Sequence, residues 1–340
     1  MTWDDLDWTI LDRLRRRFLD GAADEGPYWT SDDDLAHYDF TYAERIGWKW
    51  DAVLAELALR GWSPRGGALL DWGCGSGVAG RRVLRAFGAG RFDSLLLWDH
   101  SPLAMDYAAT RAAAVYPAIN VAPVTPGFLS GGSPIGLLVV SHVLNEVAET
   151  DLAELRRLIL RSEAVLWVEP GSRDVARGLQ TVRDSLLGDF DVVAPCTRAG
   201  ACPLLAPERE RDWCHFFAPP PLGIHADSNW VKFGQRAGID LRSLPYSFLA
   251  LQRRGTGGPA VNKVGEGWSR IIGRPEFFKP YARALSCGAG GAEDLTIPKR
   301  TEDGLFKRLE RDKGPLVYRW RREAGKIFGG EALGEKHEEF

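Results

Sequence analysis

At 340 residues, with 45% hydrophobic and 11% aromatic side chains, the chain has material for one large domain or two of ordinary size. Its longest apolar stretches, such as Ile135–Val140, fall short of the roughly 18 residues a bilayer span needs. Met1–Asp12 carries four aspartates where a signal or transit peptide would carry Arg or Lys, so neither membrane insertion nor secretion is expected. A net charge of −3 argues against a nonspecific nucleic-acid binder. The charge is uneven, however: residues 1–60 hold 14 acidic against 7 basic side chains, whereas 241–330 hold 18 basic against 9 acidic. The C-terminal quarter is where a polyanion would dock, with an ordinary Arg-rich surface as the equal alternative.

In chain order, Trp3–Leu19 places Trp3, Leu6, Ile10, Leu11, Leu14 and Phe18 at three- and four-residue steps, which predicts an amphipathic helix. A second helix is expected over Tyr42–Arg60, and the two would form a lid over residues 1–62. Alternation then begins: a strand at Ala68–Asp71, a helix from Gly77 to Phe87, a strand at Leu95–Asp99 and a helix from Leu103 to Val115. A strand at Leu137–Ser141, a helix at Asp151–Ser162 and a strand at Val165–Glu169 follow. Strands alternating with helices predict a parallel sheet covered on both faces. After a helix from Ser172 to Leu187 the rhythm breaks, and 191–227 reads as an irregular, Pro- and Cys-rich insertion. A helix at Trp230–Ala237 and an apolar run at Tyr246–Leu251 resume the sheet, closing a domain over 63–254. Gly255–Gly267 reads as a linker. In the basic segment 255–330, Arg283–Cys287 and Leu295–Pro298 read as short strands. Gly329–Phe340 reads as a frayed tail, acidic over 331–340.

Leu69-Leu70-Asp71-Trp72-Gly73-Cys74-Gly75-Ser76-Gly77 is an apolar strand running into three glycines at alternate positions. Such glycines let the chain turn sharply and let a ligand lie against bare backbone, while the next helix offers its N-terminal N–H groups. Twenty-two residues beyond Gly77 the next strand ends at Asp99, a carboxylate placed to accept ribose hydroxyls. A dinucleotide fingerprint spaces its glycines G-x-G-x-x-G, and Asp71 would repel a pyrophosphate but suits the ammonium of a methionine moiety, directly or through water. The turn resembles motif I of class I S-adenosylmethionine (SAM)-dependent methyltransferases at Asp71, Gly73, Gly75 and Gly77. Cys74 reads as a packing residue. The fourth strand ends in Ser141-His142-Val143-Leu144-Asn145-Glu146, without the Asn/Asp-Pro-Pro-aromatic element of base-modifying enzymes and without a cysteine nucleophile. His142, Asn145, Glu146 and Glu169 are candidates to orient an acceptor or, equally, to cap helices, and no catalytic residue is assigned.

Five cysteines fall at Cys74, Cys196, Cys202, Cys214 and Cys287. Three crowd into a loop where Pro195, Gly200 and Pro203 discourage helix, and Cys287 is the one uncommitted thiol left to complete a four-sulfur site. Four thiolates can hold tetrahedral zinc or an iron–sulfur cluster. Structural zinc favours C-x2-4-C knuckles, absent here, although His215 is a possible substitute ligand; the wide spacing suits a cluster better.

Together with the glycine turn, Val168-Glu169-Pro170-Gly171, Ala194-Pro195-Cys196 to Cys202-Pro203-Leu204, and Asp212-Trp213-Cys214-His215-Phe216 resemble the Rsm22-type family, methyltransferase-like proteins of the mitochondrial ribosomal small subunit and their bacterial relatives. The likeness spans about Trp48–Lys299. It implies an α/β class I methyltransferase (Rossmann-like) fold with a seven-stranded sheet, an N-terminal helical lid, an inserted Fe-S loop and a small C-terminal β segment. It further implies SAM at Asp71, Gly73, Gly75, Gly77 and Asp99, and a [4Fe-4S] cluster on Cys196, Cys202, Cys214 and Cys287, with zinc as the alternative. The implied partners are the ribosomal small subunit and its rRNA, for methylation, assembly or translation, with no membrane or DNA partner. The loop Leu205–Arg211 is longer than the family pattern, and the acidic N-terminus favours a cytoplasmic, bacterial-type protein over an imported one.

Overall fold

The computed structural model describes residues 1–20, 29–255, 264–301, 304–311, 314–323 and 326–335. In chain order its first elements are α1 (Trp8–Asp20), α2 (Asp32–Tyr38), α3 (Glu44–Leu59), β1 (Gly67–Trp72), α4 (Val78–Phe87), β2 (Phe92–Trp98), α5 (Pro102–Val115), β3 (Asn120–Pro123), α6 (Pro126–Ser130) and β4 (Ile135–Ser141). Then come α7 (Glu149–Ile159), β5 (Ser162–Pro170), α8 (Arg173–Ser185), β6 (Phe190–Ala194), β7 (Phe216–Ala218), α9 (Ser228–Ala237) and β8 (Leu244–Arg253). The last are β9 (Trp268–Phe277), β10 (Tyr281–Gly288), β11 (Gly291–Pro298), α10 (Leu305–Arg311), β12 (Val317–Glu323) and β13 (Lys326–Ala332). Among the described residues no helix is long and apolar enough to cross a membrane.

The molecule is an α/β, Rossmann-like fold with a mainly parallel mixed sheet and a separate five-stranded antiparallel sheet. Among the described residues the mixed sheet has eight strands, of which the three-residue β7 pairs with β8 off the main path. The chain divides into two compact units: Met1–Asp51, Pro64–Glu169 and Pro219–Leu244 form the first, and Ala52–Ser63, Pro170–Ala218 and Pro245–Phe340 the second.

In the first unit five strands run parallel in the order β3-β2-β1-β4-β5. The chain leaves β1 in one direction to add β2 and β3, then returns to add β4 and β5 on the other side. That reversal opens a crevice beyond the carboxyl ends of β1 and β4, where open α/β sheets bind ligands. β4 is buried at every position from Ile135 to Val140, as a strand covered on both faces must be. α5 starts at a Ser101 cap, whose Oγ accepts from the Ala104 N–H at 3.3 Å, with Pro102 in its first turn.

In the second unit β6 pairs antiparallel with β8, and the antiparallel sheet runs β11-β10-β9-β12-β13. Ile271, Ala284, Leu295, Ile297, Phe306 and Tyr318 are among the side chains of its core.

Several expectations need correction. The insertion 191–227 is not wholly irregular: it contains most of β6 and all of β7. The expected frayed tail begins too early, because Gly329–Ala332 belong to β13 and pair with β12, Tyr318 opposite Ala332 and Arg321 opposite Gly329. Cross-strand pairing overrides the low strand preference of glycine there. The two short strands expected in the C-terminal segment are parts of a five-stranded sheet whose β9, β12 and β13 were not anticipated. Most of the expected linker, 256–263, and the tail end, 336–340, lie outside the described residues.

Candidate functional site

The glycine turn joins β1 to α4. Gly73, Gly75 and Gly77 all take positive φ, +71°, +50° and +76°, the left-handed region that only glycine enters without strain. The first limb is held by the N–H groups of Gly73 and Cys74, which both donate to the Trp98 carbonyl at 2.8 and 3.0 Å. The three glycines face different surroundings. A Cβ on Gly73 would meet Val143 Cγ1 at 2.6 Å and one on Gly77 would meet Ala108 Cβ at 2.8 Å, whereas one on Gly75 would meet nothing within 4 Å. The turn is packed at both ends and bare in the middle. α4 begins at Gly77 without a side-chain cap, leaving first-turn N–H groups for another acceptor.

Asp99 anchors this turn from β2: its Oδ2 accepts from Gly75 N–H and its Oδ1 from Ser101 N–H, each at 2.9 Å. An ionised carboxylate has about four acceptor positions, so half its capacity is left for a ligand. Burial raises its pKa. Asp71 is wholly buried on the central strand. Its Oδ2 accepts from Gly80 N–H at 2.8 Å, stapling the first turn of α4 to β1, while Oδ1 is buried without a partner. Burial pushes its pKa to about 7. An orphaned carboxylate oxygen, a bare glycine and a half-used Asp99 fit a cofactor carrying an amine and a ribose, with Asp71 reaching it through an intermediary. Cys74 is buried beneath the turn and burial pushes its thiol well up, which suits packing.

At the ends of β4 and β5 two of the four candidate orienting groups, His142 and the Oε1 of Glu169, are engaged by the protein. Glu169 Oε1 accepts from the N–H groups of Val143 and Leu144, both at 3.1 Å, and from Trp167 Nε1 at 2.5 Å; burial raises its pKa to about 7. His142 sits at φ +56°. Its Nε2 lies 3.0 Å from Lys49 Nζ on α3, and its Nδ1 3.3 Å from Ser141 Oγ, which also accepts from Trp50 Nε1 at 2.9 Å. A neutral imidazole protonated on Nδ1 satisfies both contacts. Burial and the neighbouring Lys49 lower the His142 pKa well below its ordinary value, while burial and Arg45 bring Lys49 down to about 7. Nothing in the sequence had linked Lys49 to this place, since it lies 93 positions away.

In the second unit the structure brings Cys196, Cys202, Cys214 and Cys287 to the walls of one cavity, about 360 Å³ of empty space including some open to solvent. The 196 loop meets β10 through Thr197 Oγ1, which donates to the Cys287 carbonyl at 3.2 Å. Cys202 is fixed by its N–H, which donates to Asp184 Oδ2 at 2.8 Å. Burial and the neighbouring sulfurs raise three of the thiols, Cys202 to about 11, Cys287 to about 12 and Cys214 well above its ordinary value. A set of thiols that disfavours its own ionisation suits a centre that supplies positive charge. Among the described residues no three His, Cys, Asp or Glu side chains are grouped closely enough to hold a single metal ion. His215, expected as a substitute ligand, does not line this cavity; it stacks on Trp213 with centroids 4.6 Å apart.

Two residues that sequence reasoning missed line the same cavity, Arg183 and Arg270. For Arg183 a signal existed: the buried positions of α8 are Ala176, Leu179, Gln180 and Arg183, the spacing of a single inward face. Arg270 follows Trp268 on an unrecognised strand and gave no signal.

Strand order, glycine turn and carboxylate together define a class I, SAM-methyltransferase-like protein. The family profile described as "Mitochondrial small ribosomal subunit Rsm22" matches residues 90–314, and the chain belongs to this family. A search of curated proteins returned no match. Similar solved structures include magnesium protoporphyrin IX methyltransferase from Synechocystis with bound SAH, at 14% identity and TM-score 0.38, covering 74% of this chain and 96% of that one. An rRNA methylase from Streptococcus thermophilus is similar at 12% identity and TM-score 0.35, covering 59% and 94%. Likenesses of that degree say nothing about substrate.

Proposed function

We propose that this chain is a SAM-binding, methyltransferase-like protein acting on the ribosomal small subunit in the cytoplasm, with a [4Fe-4S] cluster held by Cys196, Cys202, Cys214 and Cys287. The observation that carries the reading is the single cavity lined by four thiols drawn from three loop positions and a distant strand. The wide spacing of the four cysteines along the chain suits a cluster better than one structural zinc ion, which favours C-x2-4-C knuckles. SAM would lie against Gly75 with Asp99 at its ribose and Asp71 near its amine, and when bound it supplies an electrophilic methyl group. The chain's own part is to hold that group and an acceptor in line, which suffices when the acceptor is already nucleophilic.

A second reading, an RNA-binding assembly factor that keeps the SAM pocket, is favoured by one observation: His142 and the Oε1 of Glu169 are already committed to Lys49 and to backbone N–H groups. Methyl incorporation from labelled SAM into small-subunit particles separates the two. Incorporation that disappears in Asp71→Ala while RNA binding persists supports the enzyme, and no incorporation across assembly intermediates supports the factor. For RNA docking, Arg300 and Lys307 are exposed, whereas Arg308 is partly committed to the Gly330 carbonyl at 2.7 Å. Affinity for RNA is expected to fall steeply with salt and to weaken in Arg300→Ala and Lys307→Ala; an affinity indifferent to salt rejects this surface.

A further inference from the structure

The walls of the cysteine cavity hold cationic groups whose hydrogen-bonding capacity the protein does not fully use. Arg183 has a side chain only 3% exposed. One of its nitrogens pairs with Asp184, and its Nε and Nη2 are buried with no partner. Arg270, equally buried, gives Nη1 to Glu56, rests its guanidinium 3.7 Å from the centroid of the Phe216 ring, and leaves Nε buried with no partner. Leaving a buried donor unsatisfied costs about 1–3 kcal/mol, and more for a charged group, so these N–H groups, for which the Cys196 sulfur beside Arg183 is the acceptor the protein itself offers, leave room for a further acceptor in the cavity.

Their neighbours say what kind of acceptor. Arg183 faces Cys196, whose sulfur and the Asp184 carboxylate offset the cost of its burial. Arg270 is the direct cross-strand partner of Cys287 on the β9–β10 pair, and it acts electrostatically on Cys214. Each arginine is also held in place. Glu56 is wholly buried and shared between Arg270 and Arg60, the latter at 2.8 Å, so this buried triad carries a net positive charge. Arg60 in turn donates to the carbonyls of Val193 and Pro195 at 2.8 and 2.9 Å, fixing the backbone that leads into Cys196. A buried triad whose surplus charge is positive is costly by itself and is stabilised by an anion beside it.

We propose that Arg183 and Arg270 are the charge-compensating residues of an anionic sulfur centre in this cavity, donating to its sulfur atoms so that it is both retained more tightly and reduced more easily. The inference rests on the cluster reading above. Four thiolates outweigh the charge of an oxidised [4Fe-4S] core, and gaining an electron makes the assembly more negative still, so a fixed cation beside it stabilises the reduced form more than the oxidised one. Net charge and hydrogen bonds to sulfur are among the main determinants of cluster potential.

The test uses the full-length protein purified without oxygen, with iron and acid-labile sulfide measured first, then titrated with dithionite while the reduced cluster is followed by electron paramagnetic resonance. Loss of iron to bathophenanthroline disulfonate gives the release rate. In Arg183→Gln and Arg270→Gln the equilibrium constant for one-electron reduction is expected to fall about tenfold, a shift of about 59 mV for one electron, and release to quicken by roughly tenfold. Arg183→Lys, which keeps the charge, is expected to stay near wild type in both. If glutamine variants cannot be loaded while the lysine variant loads at the wild-type potential, the proposal stands, because charge is then what the site needs. Glutamine variants with wild-type potential and release rate overturn it, and so does a lysine variant as defective as the glutamine one. Stoichiometric zinc without sulfide in the wild type overturns the cluster reading itself, a result separable from the other two.

Discussion

The glycine turn and the cysteine cavity are built by opposite means. The turn presents backbone: three left-handed glycines, the uncapped start of α4 and a carboxylate 24 positions from Gly75, all within one βαβ stretch. The cavity presents side chains gathered from a loop, a helix and two strands of an antiparallel pair, the most distant of them Arg183 and Cys287. A site made of backbone shape is written in consecutive residues, whereas one made of side-chain chemistry exists only after distant strands have paired.

The largest effect that would sharpen this contrast is expected at the cavity. Cys214→Ser, in the buried member of the set, should abolish iron and sulfide binding. Cys74→Ser, equally buried but under the glycine turn, should leave metal content unchanged. Equal metal loss in both would break the assignment of the cluster to the cavity.

Next come the glycines, where fold and ligand effects separate. The Cβ of Gly75→Ala meets no atom within 4 Å, so its fold cost is the backbone strain of roughly 1–2 kcal/mol, while the new methyl occupies the bare middle of the turn. SAM affinity measured by calorimetry is expected to drop about 100-fold, or ~3 kcal/mol. Gly73→Ala drives a methyl into Val143 and should lower the melting temperature more than Gly75→Ala does. A Gly75 variant that binds SAM normally would remove the turn from the site.

The smallest expected effects are on pH dependence. Burial raises Asp71 from 3.8 to about 7, so the folded protein keeps a proton that the unfolded chain has lost. Its contribution to stability is present in full below about pH 4 and is lost as pH rises through about 7. Glu169 acts in the same sense. Burial and Arg45 lower Lys49 from 10.5 to about 7; there the folded state sheds a proton the unfolded chain retains, so stability rises from about pH 7 toward pH 10. In denaturant melts without ligand, Asp71→Asn should flatten the acid-side decline and Lys49→Met the alkaline-side rise. Unchanged slopes would mean that neither group titrates in the burial seen here.

How far each region was legible follows from the same physics. The strand, turn and helix from Gly67 to Phe87 were readable because an apolar run, alternate glycines and a 3.6-residue stripe each report on a local conformation. The antiparallel sheet was half missed. β9 is buried at six successive positions from Trp268 to Gly273, so it lacks the alternation that marks a strand, and β12 carries Arg319, Arg321 and Arg322 among its seven residues. Lys49 against His142, and the orphaned arginines of the cavity, were beyond reach for another reason: a charged side chain reads as solvent-facing until the fold shows what covers it.

By itself, then, the amino-acid order determined the βα rhythm, the left-handed turn with its two aspartates and the cysteine inventory, because each depends on conformations or residue types set within a few positions. The tertiary structure alone decided that the fourth cysteine lines the same cavity as the other three, with two buried guanidiniums in its walls. That outcome depends on β9 and β10 pairing in one register, which puts Arg270 opposite Cys287, and on α8 turning Arg183 inward. Contacts between residues some ninety positions apart are selected by the burial and hydrogen bonding of the whole sheet, not by any local pattern.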